Sequence, residues 1–529
     1  MNIPLPQSAF FLPPRIGENN GVDFLGLRQA NLDLMAEIIP ATNNVTDYVR
    51  PFSLLCWIFW KFHKLCEEEE KTEVDGRELQ IFRERIEVLF TWGARLADFP
   101  RLPGKRATPP PISEKGAALT FKDWGRSQDS TSLIAALWYG PAAKMTGLRF
   151  LMPVPGKSGF FRTVEHGISL AEALDERLQE DADRYIRLLS TLKIVTATEE
   201  DAQALWDSWR PDRLTTQEAD AFRLALFDAR SVGSYKSMLG RRSSMLSLVQ
   251  LHLQHEDGAV SADQVRSGVF LSQGAEGDPY ELPEQLQEAR QKWIILQMRQ
   301  LQRYSLENLL GWVEMQLREG AQDTEALVSA LIDEWTEMEF PGSETSTLDA
   351  ALDETSEHFC SLEEFIAACR SGDIETPFAL IERIYEGISD EGGGAAACLH
   401  GLFLCAEFTA CFPADHQGIQ TGGPQRLSLF HLHKRFRALG GMPMSEAIRF
   451  ILEAMVISQH FATAVNRFDG QSQRLRLAID ENGLARLVDE PWAPSVTEDR
   501  LPTLLSLAAQ AGLVGRDDEG LYLPAESGQ

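Results

Sequence analysis

Positive charge is what this sequence is short of. Fifty Lys and Arg stand against 78 Asp and Glu, a formal net charge of -28 over 529 residues. Affinity for DNA rests on neutralising phosphates and releasing their counterions, so sequence-independent binding by the isolated chain is disfavoured. Any contact must come from a local basic face or from a partner that supplies the positive field. Cysteine is sparse as well. Seven residues scattered along the chain form no disulfide framework and point to a reducing cytoplasm. No apolar run approaches the roughly 20 residues of a membrane-spanning helix. The densest, Leu54 to Trp60, is short and lies inside a longer helical pattern. The opening MNIPLPQSAFFLPPR lacks the basic start and apolar core of a secretory signal. Hydrolase signatures are missing too, with no His-Glu-x-x-His pair and no Gly-x-Ser-x-Gly elbow.

What is present is helical periodicity. Leu27, Leu32, Met35 and Ile38 fall near one face of a helix, and NNVTDYVRPFSLLCWIFWKFHKLCEEEE and GRELQIFRERIEVLFTWGARLADF continue the pattern. The predicted fold is mainly α and multi-domain, with one or two winged-helix units whose wings are short β-hairpins. An N-terminal helical block (1–99) leads into a basic, proline-rich linker (100–116) and a winged-helix-like domain (117–198). A helical domain with a long helix (199–340), a second helical domain (341–470) and a C-terminal winged-helix-like segment (471–529) follow.

The stretch LMPVPGKSGFF, Leu151 to Phe161, contains the Gly-Lys-Ser of a phosphate-binding loop. That loop needs a glycine where Leu151 stands and a helix directly after the serine. Here GFFRTV follows, a strand pattern, and Pro153 and Pro155 stiffen the approach. The residues therefore predict a hairpin with Lys157 at its tip and Arg149 and Arg162 beside it. As a wing this hairpin would touch a DNA backbone; as a packing module it would touch protein. Lys434, Arg435 and Arg437 in HLHKRFRALGG, and Arg474 and Arg476 in QRLRLAI, are further candidates for phosphate contact. In QRLRLAI, strand alternation places Leu475, Leu477 and Ile479 on one side and both arginines on the other. Arg241 and Arg242 read as a solvated helix face. Cys398, His400, Cys405, Cys411 and His416 are zinc-type residues without the paired short spacings of a zinc site. They read as helix core, and no metal or cofactor is expected.

The segments LRQANLDLMAEIIPATNNVTDYVRPFSLLCWIFWKFHKLC, YGPAAKMTGL with TVEHGISLAEAL, and ISQHFATAVNRFDGQSQRLRLAI resemble uncharacterised proteins encoded in bacterial anti-phage defence islands. The plan of helices ended by winged units is also similar to the kleisin-type subunits of chromosome-maintenance ATPases. The resemblance implies a non-catalytic subunit of a DNA-directed complex, partnered by an ATPase, helicase or nuclease, with weak DNA contact of its own. It carries no catalytic residue. A winged-helix transcription regulator is the alternative, but GPAAKMTG offers its reading helix only Lys144. An enzyme whose site assembles only in three dimensions is the third reading.

Overall fold

The computed structural model describes residues 23–71, 75–100, 102–105, 115–388, 392–468, 474–481, 483–490 and 492–525. Helices hold 58% of the chain, and the named strands among the described residues form only antiparallel two-stranded pairs. The protein is mainly α. It divides into two compact units, each discontinuous in sequence. Unit 1 gathers the described residues of Met1–Leu34 and Gln291–Thr497; unit 2 gathers those of Met35–Arg290 and Glu498–Gln529.

In chain order, the elements that position the candidate residues begin with α1 (Arg50–Glu68), α2 (Gly76–Leu96) and α3 (Tyr139–Ala143). Next come β1 (Leu151–Pro153), β2 (Phe161–Thr163), α4 (His166–Leu178), α5 (Glu199–Trp209) and α6 (Thr216–Leu226). Then follow α7 (Met238–Leu253), α8 (Ala262–Leu271), α9 (Glu284–Glu319), α10 (Gly394–Ala410) and α11 (Leu429–Leu439). The chain closes with β3 (Leu477–Asp480), β4 (Gly483–Arg486), α12 (Leu501–Gln510), β5 (Gly515–Arg516) and β6 (Tyr522–Leu523).

The core of unit 2 is built on α1, of whose 19 residues 14 are buried. Pro51 sits in its first turn, where a missing N–H leaves no intrahelical bond unmade. The helix packs against α4 and α2, and Trp57 donates its indole N–H to Asp175 at 2.8 Å. Helix starts in this unit are set by local chemistry. Thr198 with Asp201, Thr215 with Glu218 and Ser261 with Gln264 each form a reciprocal capping box, opening α5, α6 and α8.

Unit 1 centres on α10, in which 16 of 17 residues are buried, packed against α11. Cys398 and Cys405 lie inside this helix core. Here the structure amends one expectation. Met444–Asn466 runs as a continuous helix of 23 residues, long and apolar enough to cross a membrane by length and composition, and half of its apolar window is buried within the protein. Its centre, Ile451–Ile457, is π-helical. Individually short apolar stretches in the sequence concealed that continuity.

Candidate nucleic-acid interface

The Gly-Lys-Ser stretch forms a β-ribbon. Leu151 pairs with Thr163, Met152 with Arg162 and Pro153 with Phe161, and the Val154 N–H donates to the Phe160 carbonyl at 2.9 Å. The turn requires Gly156 at φ 75° and Gly159 at φ 78°, a region that residues with a Cβ avoid. A Cβ built at either position meets nothing within 4 Å, so the tip is open. The next helix, α4, does not begin until His166, so no helix follows directly on Ser158.

Three candidate cations decorate this ribbon. Lys157 is exposed, its ammonium 5.6 Å from the centre of the Phe160 ring. Arg162 is exposed on β2 across from Met152. Arg149 takes φ 64° at the base of the ribbon and pairs with Glu165 at 2.8 Å. In front of them stands α3, a helix of five residues. That is little more than one turn, whereas a reading helix must project several turns of side chains into the major groove. Residues 131–138, directly before it, form turns rather than a helix. A Cβ on Gly140 would lie 2.0 Å from the Ile134 carbonyl oxygen, so no side chain fits there.

The other candidates are drawn into unit 1. On α11, Lys434 is exposed and Arg435 half-buried. Arg437 is tied to the buried carboxylate of Glu407 and lies 3.2 Å from Asp353. Arg474 is half-buried, and β3 begins only at Leu477, after both arginines. Leu477 is fully buried while Ile479 is 74% exposed, so the expected apolar edge ends after one residue. Arg476 makes a forked pair with Glu314, its Nη2 2.8 Å from Oε2, and lies over the Phe24 ring at 4.7 Å. Glu314 is completely buried and also accepts the Trp492 N–H at 2.6 Å. Arg476 is thus a tie between the C-terminal part of unit 1 and α9.

The same use of arginine recurs at positions that no sequence pattern marks. In unit 2, Arg50 is wholly buried and donates to the Ser208 carbonyl at 2.9 Å, the Arg213 carbonyl at 2.5 Å and Glu218 at 2.8 Å. Arg242, expected on a solvated face, is 2% exposed. It donates to the Ala225, Leu226 and Pro40 carbonyls at 2.5, 2.8 and 3.2 Å. Ala225 and Leu226 end α6, so this guanidinium fills the place of a helix cap. Arg126 donates to the Glu87 and Thr131 carbonyls at 2.9 and 2.7 Å and pairs with the Glu87 carboxylate at 3.3 Å. In unit 1, Arg299 collects the Arg426 and Leu427 carbonyls at 2.6 and 2.8 Å. Burial pulls Arg85, Arg242 and Arg299 down to about 10, still charged at neutral pH. Burial pushes the Glu307 carboxyl up to about 7 despite Arg303 at 2.9 Å.

Among the described residues nine cationic side chains are buried, against ten carboxylates. Among the described residues the buried charges are therefore close to neutral, and the acidic excess is not held in the core. Glu67 to Glu70 are part of it, all four exposed. Among the described residues no group of three or more His, Cys, Asp or Glu is placed to hold a metal ion. His400 stacks on Phe340 at 4.8 Å, and burial lowers its pKa to about 4, leaving the ring neutral. Burial likewise raises the Cys398 and Cys405 thiols. No protein-family model, curated protein or solved structure matches the chain.

Proposed function

We propose that this protein is a non-catalytic subunit that holds protein partners, in the DNA-directed defence complex that its sequence resemblance implies. One observation carries the reading. Its buried arginines are bonded to its own carbonyls and carboxylates, and buried cations and carboxylates nearly balance among the described residues, so the net charge of -28 is carried outside that core and suits a basic partner. Buried guanidiniums of this kind fix loops and helix ends and give a firm frame. The ribbon around Lys157 offers exposed cations at Lys157 and Arg162, enough for a supporting phosphate contact within a complex but not for independent grip.

The test is a salt titration of binding to duplex DNA, followed by fluorescence anisotropy, on the isolated full chain. The expected dissociation constant lies in the non-specific range of about 10⁻⁴–10⁻⁶ M or weaker, and rises further as salt rises from about 50 to 200 mM. Nanomolar binding that survives the higher salt would overturn the reading in favour of a regulator.

A further inference from the structure

Unit 2 contains an assembly that chain order conceals. Helices α7 and α8 are joined through Val260, and the chain comes back at α12, β5 and β6 only after residue 500. The returning piece packs into the first. Helix α12 contacts α8, Gln250 on α7 donates to the Leu513 carbonyl at 2.8 Å, and Arg266 on α8 pairs with Asp499 at 2.8 Å. Tyr522 of β6 is bonded on both sides. It opposes Arg516 of β5, and it exchanges two backbone hydrogen bonds with Val260, at 2.7 and 2.8 Å. The sheet therefore runs Val260, β6, β5, antiparallel throughout. Gly268 makes the helix contact possible, because a Cβ there would lie 2.0 Å from the buried ring of His252 on α7.

Helix, strand, helix, helix, strand, strand, with the first strand beside the last, is the order of a winged helix. We infer that α7, Val260, α8, α12, β5 and β6 form a single winged helix split in the chain by residues 272–500, and that its reading face has become a dock for the protein's own residues 47–49. The third helix of such a unit is the one that enters the major groove. On α12 the polar stripe is Thr503, Ser506 and Gln510, spaced three and four apart as one helix face requires. All three are engaged. Ser506 and Gln510 donate to the Asp47 carbonyl at 2.9 and 2.8 Å. Gln510 accepts the Val49 N–H at 3.0 Å, and Thr503 donates to the Asp47 carboxylate at 3.3 Å. The wing turn reads Asp517, Asp518, Glu519, which repels phosphate, and Arg516 lies over the Tyr522 ring at 5.5 Å. The face that would read bases instead anchors the lead of α1. This inference does not rest on the proposed partner role.

Hydrogen exchange on the full chain tests both parts, with Gln510→Ala as the variant and anisotropy with duplex DNA alongside. In the wild type, the Val260 and Tyr522 amides are expected to exchange at rates within about tenfold of each other, as members of one cooperative unit. In the variant, the Val49 amide is expected to exchange at least about tenfold faster while Val260 and Tyr522 keep their rates and DNA affinity is unchanged. Free exchange at Tyr522 beside a protected Val260 would break the single-unit assignment. An unchanged rate at Val49 would overturn the dock, and so would a tenfold gain in DNA affinity, which would mark the stripe as a covered DNA site.

Discussion

Replacing Arg50 with methionine is expected to destabilise unit 2 by about 3–5 kcal/mol, the range for breaking a buried pair by removing one partner. Arg50 and Glu218 are both fully buried, 2.8 Å apart. Without the guanidinium, the Glu218 carboxylate keeps its hydrogen bonds from the Thr215 N–H and hydroxyl but loses its only buried counter-charge among the described ion pairs. The Ser208 and Arg213 carbonyls lose their donor at the same time. Methionine fills much of the space, so the loss reports charge and hydrogen bonding more than a cavity. Urea denaturation of the variant checks this. Arg50→Lys, which keeps the charge but cannot fork to three acceptors, is expected to recover part of the loss. A change below about 1 kcal/mol, the size of an exposed pair, would contradict the role given to Arg50.

Glu314→Leu is expected to have an effect of similar size, about 3–5 kcal/mol, on unit 1. Glu314 is buried on α9 and satisfies both the forked Arg476 guanidinium and the Trp492 N–H. The substitution strands a charge in a half-dry site and leaves an N–H without its acceptor. The companion Arg476→Met leaves the opposite charge stranded. The double replacement is expected to cost less than the two single losses summed, as contacting groups do in a double-mutant cycle. Thermal or urea denaturation of the three variants reads it out. Additive losses would mean that the pair is incidental.

Much of the architecture was legible. The apolar face of α1 follows from residue spacing, the burial of α10 follows from a run that is apolar all round, and Pro-Gly-Lys-Ser-Gly announced a turn because two glycines can take the left-handed conformation that the ribbon demands. The fate of the cations was not legible. Arg241 and Arg242 are neighbours, yet a helix rotates by roughly 100° per residue, and only Arg242 reaches the interior, where one acceptor, Pro40, comes from 202 residues away. Arg476 looked like half of an exposed strand edge. Residues 474–476 form no strand, and Glu314, 162 residues earlier in the chain, captures the Arg476 guanidinium before the strand begins at Leu477. The Val260–Tyr522 pairing was hidden for the same reason, since its two halves lie on opposite sides of unit 1 in the sequence. Local pattern sets helices and turns; partners brought together from afar decide which charges stay outside.

Arginine footprinting is the most direct test of that account. The folded chain is treated with an arginine-selective dicarbonyl and the modified residues are read by mass spectrometry. Arg230, whose side chain is 92% exposed, is expected to react at the rate of the unfolded protein, and Arg50, Arg242 and Arg299 are expected to stay unmodified until the chain is denatured. Modification of those three at the rate of Arg230 in the folded protein would contradict the claim that the interior guanidiniums are committed to the protein's own backbone.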